Sequence, residues 1–545
     1  MTEEVEQSLN ERKVFSSEEF KIEIQNLPKF FGVGQIKKVL TNKLNLKFHK
    51  VKPVGHGAKY MFINFSNEED REEAIAKLDG YELKGNKLKA FKARAAKDPM
   101  VKAAEDREGK VNEVIDDRPI TERIKSAVVP LADKDYQEQL AFKKTAIEEL
   151  LEKLKKNFMK QNGFFKSHGI THDDLVHLDD FIPSPVINGY RNKCEFSVGK
   201  HPETNDITVG FRLASYKKGS ISVANIDHLN NVSDTMKSIV KHFEDFVKKS
   251  NYEPFDAVSH QGYWKQLTVR QGIRTKNLLV WAVLHPHELK EDEKAEIEEK
   301  LCKHFEGWDV TSLNIQYMGP RQKGQPDPPV KCISGQKYIQ EQLMNLTFKV
   351  SPQAFFQINT IAAEKLYEAC GSIAGLDKQT ILFDVCCGTG TIGLCLAPKV
   401  KEVHGVDIIE EAIEDARANA EANGLTNASF HAGRAEFVLP ELLRKYDNNE
   451  GCKTVAIVDP PRSGLHPKAV LALRGSNIDT LVYVSCDARA AMNNFVDFGR
   501  MTSNAYKGEP FYPTKVIPVD LFPHTNHFEL IILFKRFPLK QALNC

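Results

Sequence analysis

Apolar and polar residues alternate with a period of two at 21–24, 60–65, 193–198, 207–212, 264–270 and 278–284. That spacing predicts strands with one buried face. Over 136–158 the period changes. Tyr136, Leu140, Ile147, Leu150, Leu151, Leu154 and Phe158 recur at helical spacing among Lys and Glu, which predicts one long amphipathic helix. Late in the chain, continuous apolar runs end on polar residues: Ile381-Leu382-Phe383 before Asp384, Val455-Ala456-Ile457-Val458 before Asp459, and Leu481-Val482-Tyr483-Val484 before Ser485-Cys486. Buried parallel strands read this way, and they deliver side chains to the carboxyl edge of a sheet, where open α/β enzymes place their chemistry.

These elements divide the chain into four stretches. Residues 19–95 read as strand, helix, two strands, helix, strand, with a short basic helix at 35–44 and Asn67 starting a helix before Glu68-Glu69-Asp70. The order resembles the RNA recognition motif (RRM), an α+β fold whose sheet stacks aromatic rings on bases. The resemblance puts Tyr60 and Phe62 at stacking positions. Glu23 stands where an aromatic is common, and glycines are missing at Lys59 and Met61, so a protein-contact module of the same fold is the alternative. Residues 96–163 are a charged linker and the amphipathic helix, expected to pack on the region after it, with Lys153, Lys155, Lys156 and Lys160 solvated. Residues 164–347 are β-rich. Tyr190-Arg191-Asn192-Lys193, Tyr216-Lys217-Lys218-Gly219, Trp264-Lys265, Arg270 and Arg274 mix bases and aromatics, as a central RNA-binding surface would, although an exposed sheet face gives the same pattern. Residues 348–545 are the α/β half, opening with a helix predicted over 355–370.

Composition narrows the partners. At 545 residues the chain is too long for one core, and domains of roughly 100 to 200 residues are expected. Lys+Arg number 75 against 74 Asp+Glu, so a nucleic-acid surface must come from local clustering. Ten cysteines include one adjacent pair, Cys386-Cys387, and no CxxC, which supports neither a zinc ribbon nor an iron–sulfur cluster. Free thiols in a reducing compartment are the simplest expectation. The acidic amino end resembles no signal or transit peptide, and no run approaches the roughly 18 apolar residues of a membrane span. The expected location is the cytosol, with the nucleus as the alternative, and no membrane association.

The chemistry concentrates in the last stretch. In Asp384-Val385-Cys386-Cys387-Gly388-Thr389-Gly390-Thr391-Ile392-Gly393 a strand ends in an acid and glycines open a helix. Gly388 and Gly390 let backbone approach a ligand, and Asp407, ending the next strand, is placed to accept ribose hydroxyls. The spacing satisfies GxGxxG, so a dinucleotide is one reading. Asp384 would push negative charge toward a pyrophosphate, whereas S-adenosyl-L-methionine has no phosphate and carries cationic groups, so charge favours the latter. Downstream, Asp459-Pro460-Pro461-Arg462 lacks the aromatic that amino-directed methyltransferases present at its fourth position. If the acceptor is instead a pyrimidine carbon, C5 needs a nucleophile at C6, and Cys486 stands where it could add. A lone strand-end cysteine is more often structural. Its coincidence with Glu529 and the cofactor loop reverses that preference.

Together these residues resemble the RNA 5-methyluridine methyltransferase family over nearly the whole chain. The motifs are Ser351-Pro352-Gln353-Ala354-Phe355-Phe356-Gln357-Ile358-Asn359, the Asp384 to Gly393 loop, Asp459-Pro460-Pro461-Arg462, Ser485-Cys486, and Asp520-Leu521-Phe522-Pro523 leading to His527-Phe528-Glu529. The resemblance implies a Rossmann-like class I methyltransferase domain. It also implies Cys486 as nucleophile, Glu529 as base, and Gln357, Cys386, Asp407 and Asp459 lining the S-adenosyl-L-methionine site. Where relatives continue Ser-Cys-Asn-Pro this chain has Asp487-Ala488, and a carboxylate beside the thiol is expected to point away or to pair with Arg489. The implied partner is tRNA acting as a monomer's substrate, modified at the T-loop uridine. Ribosomal or other structured RNA is one alternative, and a non-catalytic RNA-folding factor is another. His524 and His527 are expected only to shape the site.

Overall fold

The computed structural model describes residues 20–28, 32–53, 59–93, 118–213, 222–256, 259–320, 327–446 and 452–537. Most of the charged linker and the Tyr216 to Gly219 cluster lie outside them. The chain forms two compact units, the smaller one amino-terminal.

In the small unit, strands Lys21–Gln25, Lys50–Pro53, Tyr60–Asn64 and Lys89–Lys92 form one antiparallel sheet, with Lys21–Gln25 between Tyr60–Asn64 and Lys89–Lys92. Alternation sets its two faces. Ile22, Ile24, Met61, Ile63 and Ala90 bury against Leu40, Ala74 and Leu78 of the helical segments. Asn67 caps Glu68–Leu78, accepting from Asp70 N at 2.8 Å. The other face presents Tyr60 and Phe62, edge-on at 5.9 Å, and Phe91, which shares a cross-strand row with Glu23 and Phe62.

Among the described residues the large unit carries two large sheets and the two-stranded ribbon Ile339–Leu343 with Leu346–Val350. The central one has seven strands, including Lys193–Lys200, Trp264–Gln271, Leu278–Leu284 and Ser312–Tyr317, with helices Asp234–Lys249 and Glu291–His304 covering one face. The strand Leu278–Leu284 is buried on both sides. Val280, Ala282 and Leu284 meet those helices, while Leu279, Trp281 and Val283 join the core that includes Phe348 and the α/β half. The expected basic and aromatic surface is therefore corrected in detail: Tyr190, Asn192, Trp264 and Arg270 are buried, and Arg274 is spent on Glu364. Arg270 Nη2 donates to Ala354 O at 2.8 Å, tying the central sheet to the 351–359 segment.

The second sheet carries strands β1 (Thr380–Val385), β2 (Glu402–Asp407), β3 (Ala428–Ala432), β4 (Lys453–Val458), β5 (Thr480–Ser485), β6 (Phe511–Val519) and β7 (Glu529–Arg536). Their order is 3-2-1-4-5-7-6, parallel through β5, with β7 inserted antiparallel between β5 and β6. That reversed strand departs from the 3-2-1-4-5-6 order of dinucleotide folds. The short strand His177–Leu178 extends this sheet beyond β6, so part of the stretch grouped with the central region lies on the α/β half.

Two helices differ from expectation. The helix predicted over 355–370 forms at Thr360–Ala374, because Asn359 caps it by accepting from Ala362 N at 3.1 Å, leaving Gln357 in extended chain. The amphipathic helix, Tyr136–Gln161, packs on Phe165, Leu175 and Val176 of the stretch that follows it but mainly on the α/β half, where Ile147, Leu150, Leu151, Leu154 and Phe158 join Ile381, Phe383 and Leu481. Each fully buried side chain of this kind contributes about 1.5–3 kcal/mol. Such a stripe outweighs the desolvation of Lys143 only if that ammonium is paired, and it is: Lys143 Nζ donates to Asp520 Oδ1 at 2.8 Å and to Phe522 O at 3.0 Å. Tyr136 OH donates to Asp520 Oδ2 at 3.0 Å. Removing one partner strands the other, so Lys143→Met is expected to cost about 3–5 kcal/mol in urea unfolding followed by circular dichroism. A cost under about 1 kcal/mol, the level of a surface pair, would refute this account.

Candidate active site

Two clusters of side chains sit at the carboxyl edge of the α/β sheet. The first surrounds the loop after β1. Cys386 takes a left-handed conformation at φ 64°, and its N–H donates to Val406 O at 2.8 Å. Gly388 N donates to Asp407 Oδ2 at 2.9 Å, and Ile409 N donates to Asp407 Oδ1 at 3.0 Å, fixing the carboxylate at the end of β2. Gly390, at φ 79°, opens the next helix, and a Cβ there would stand 2.8 Å from the Phe430 ring. At Gly388 a Cβ would meet nothing within 4 Å, so the loop leaves room for a ligand. Asp384 is fully buried with Oδ2 accepting from Gly393 N at 2.8 Å, and burial pushes its carboxyl up to about 7. A carboxylate already holding the helix-opening amide disfavours a phosphate there. The exposed Ile408 follows Asp407 and offers an apolar wall, a residue missed in the sequence for want of any charge or motif.

The second cluster is built by β4, β5 and β7. Ser485 ends β5 paired with Leu530, so Cys486 comes one residue past the ladder, on the same side as Glu529, the residue before Leu530 in β7, and that carboxylate acts on the thiol. Asp459 N donates to Val385 O at 3.1 Å, and the Asp459 carboxylate accepts from Gln357 Nε2 at 3.5 Å. Gln357 is held in turn, because Asn192 Nδ2 of the central region donates to its carbonyl at 2.7 Å. The structure thus brings Gln357, Asp459, Cys486 and Glu529 together, with Cys386 between the two clusters, where Asp407 and Asp459 both act on its thiol.

Electrostatics separates the two thiols. Burial first, then the carboxylates Asp407 and Asp459, push Cys386 up to about 12. Burial, Glu529 and Asp459 push Cys486 to about 11, opposed by the Arg462 guanidinium, which hydrogen-bonds the sulfur. Only Cys486 has a cation at hand to favour thiolate. Burial pushes Asp459 up to about 7, with Gln357 opposing, and burial plus Asp459 hold Glu529 well above the usual carboxylate range. Asp487 is turned away: it accepts from Ala490 N at 3.2 Å. Arg462, weighed in the sequence only against an amine acceptor, is the functional residue whose proximity to a thiol required the fold.

Second-layer contacts fix both loops. Asn494 Oδ1 accepts from Leu465 N at 2.7 Å and from Tyr483 OH at 2.9 Å, coupling the Arg462 loop to the strand that carries Cys486. His524, buried at φ 67°, donates through Nε2 to Asn188 Oδ1 and accepts at Nδ1 from Gln139 Nε2. Gln139 and Lys143 went unnoticed in the sequence, since nothing in the spacing of that helix marks them as paired and buried. Phe355, beside Gln357, leaves its ring 66% exposed at the rim.

Comparison with known proteins agrees with this geometry. The profile of the Methyltransferase domain family matches residues 376–460. The tRNA (uracil-5-)-methyltransferase homolog A of Mus musculus is 40% identical over 535 residues, covering 96% of this chain and 85% of that protein. Homolog B of Pongo abelii is 38% identical over 427 residues, covering 76% and 87%. In fold, the chain is similar to the Pyrococcus abyssi tRNA (uracil-54, C5)-methyltransferase crystallised with S-adenosyl-L-homocysteine, with TM-score 0.52 and 24% identity over 74% of this chain and 84% of that one. With a class I methyltransferase sheet and 40% identity across most of both chains, this chain belongs to the tRNA (uracil-5-)-methyltransferase family.

Proposed function

We propose that the chain methylates C5 of a uracil in tRNA, at position 54 of the T-loop, the position named for the archaeal fold neighbour. The observation that carries the chemistry is the cross-strand placement of Cys486 against Glu529 with Arg462 on the thiol. S-adenosyl-L-methionine, when bound, supplies the methyl group. Asp407 would hold its ribose hydroxyls, and Gln357 with Asp459 its cationic end.

Cys486 sulfur adds to C6 of the uracil, and the C5–C6 π pair moves to C5 and O4 as an enolate. C5 would then take the methyl group of the bound donor, the sulfonium S–CH3 bond breaking with its electron pair left on sulfur, so that S-adenosyl-L-homocysteine leaves. Glu529 accepts the C5 proton, the electron pair re-forms the C5–C6 double bond, and the C6–S bond breaks to release Cys486. Arg462 stabilises the thiolate at the first and last of these steps. Phe355 offers a ring for the base. The amino-terminal unit is the RRM-like module, its sheet face presenting Tyr60, Phe62 and Phe91 to RNA, and the chain works in the cytosol.

With 5-fluorouridine-substituted tRNA there is no C5 proton for Glu529 to remove, so a covalent protein–RNA adduct is expected on denaturing gels for wild type and none for Cys486→Ala. On ordinary tRNA, Glu529→Gln should lose about 10²- to 10⁴-fold in turnover and trap the methylated adduct, as expected when a positioned base is removed. Methyl transfer by Cys486→Ala would refute the covalent mechanism.

Binding a cationic donor needs Asp459 ionised, and its carboxyl sits at about 7. Protonation therefore removes the attraction as pH falls through that value. kcat/KM for S-adenosyl-L-methionine should drop about tenfold per pH unit below it, where an ordinary carboxylate stays ionised down to about pH 4. A profile flat from pH 8 to about 5 would contradict this assignment.

Substituting Tyr60 and Phe62 by Ala together should weaken tRNA binding by about tenfold or more, since each stacked base is worth ~1–3 kcal/mol. Unchanged affinity in a gel-shift titration would leave that unit as a protein-contact module.

A further inference from the structure

The central region hides Trp264 but shows Trp308. This indole follows the helix Glu291–His304 and is 39% exposed. It stacks on His242 with ring centroids 4.3 Å apart and planes 27° apart, and His242 stacks on His304 at 3.9 Å. Each imidazole Nε2 lies 2.8 Å from the other residue's carbonyl. A carbonyl only accepts, so both Nε2 atoms carry hydrogen. Burial also holds His242, the ring directly beneath the indole, below the usual imidazole range. Trp308 N donates to Phe305 O at 3.1 Å, fixing its backbone.

In front of the indole is a cavity of about 380 Å³ that Trp308 lines with Thr235, Ser238, Gln271, Lys276 and Asp309. A braced aromatic plane, two hydroxyls, an amide, a carboxylate and one ammonium match the parts of a single nucleotide: a ring to stack, an edge to hydrogen-bond and one phosphate. Asp309 would repel a phosphate but accepts from the N–H groups of a base edge, so it belongs on the base side. Lys276 uses one of its three donors on Ile273 O at 2.7 Å, leaving two. Position supplies the independent argument. Gln271 N donates to Asn192 O at 2.8 Å, and Asn192 Nδ2 donates to Gln357 O, so the cavity wall is one residue removed from the segment that carries Gln357.

We infer that this cavity receives an unpaired nucleotide of the RNA near the target uridine, its base stacked on Trp308 and its phosphate toward Lys276. The inference rests on the proposed RNA methyl transfer and adds a second base-holding site to it. Such a site would let the enzyme grip the loop after the target base has left its stack, at a point that reads no catalytic group.

The test uses the full chain and tRNA transcript. Trp308→Ala should weaken tRNA binding about tenfold, with the loss in KM for tRNA rather than in kcat, and Trp308→Phe should recover most of it. Trp308→Ala within twofold of wild type in both binding and KM would overturn the inference. Should the alanine variant fail to fold, wild-type tryptophan fluorescence decides: Trp264 and Trp281 are buried, so quenching on tRNA titration reports Trp308. No quenching at saturation overturns the inference. A wild-type enzyme that neither binds nor methylates tRNA defeats both this inference and the proposed function, whereas an active wild type with an unaffected Trp308→Ala defeats this inference alone.

Discussion

The buried carboxylate of Asp520 is the interaction on which the catalytic edge depends. It accepts from Lys143 and Tyr136 of one helix and from the backbone of Phe522 in its own turn, so a helix and a turn distant in sequence meet on one group. A charge without solvent tolerates few geometries, because each lost hydrogen bond leaves an uncompensated ion. The turn from β6 to β7 is thereby set in place, and Glu529 is the first residue after it. Gln139 adds two more bonds to His524 in the same turn. A helix outside the methyltransferase domain by sequence is thus part of the support of the proposed base.

Around the thiol, burial and like charge work against ionisation. Glu529 and Asp459 raise Cys486, Asp459 also raises Glu529, and Arg462 is the cation opposing them at the thiol. Such a site is poised for cationic and electron-poor ligands. A sulfonium lowers the cost of ionised Asp459, and a base that enters carries off electron density from sulfur as it adds. The energetic conflict among these groups is one that a cationic donor and an electron-poor base would relieve.

The two sheets of the large unit share more than a linker. The strand Leu278–Leu284 buries both faces, and Arg270 and Asn192 reach from the central sheet to the carbonyls of Ala354 and Gln357. A contact on the central region can therefore be felt at the segment that carries Gln357, which gives the Trp308 cavity a physical route to the proposed chemistry.

Much of this was legible in the chain because period and chemistry are local. Alternation marked the strands, helical spacing marked Tyr136–Gln161, and apolar runs ending in Asp384, Asp459 and Cys486 marked the sheet edge. Burial of surfaces against one another is not local. Trp264 and Arg270 alternate as surface residues do, yet a second layer covers them. Lys143 looks like any lysine until Asp520, 377 positions away, reaches it. The register of β7 against β5, which alone puts Glu529 on the same side as Cys486, follows from strand order, and strand order is decided when the whole chain folds. Sequence named the candidate groups, and tertiary structure decided which of them share a solvent-poor space, because desolvation and charge proximity exist only after distant segments have packed.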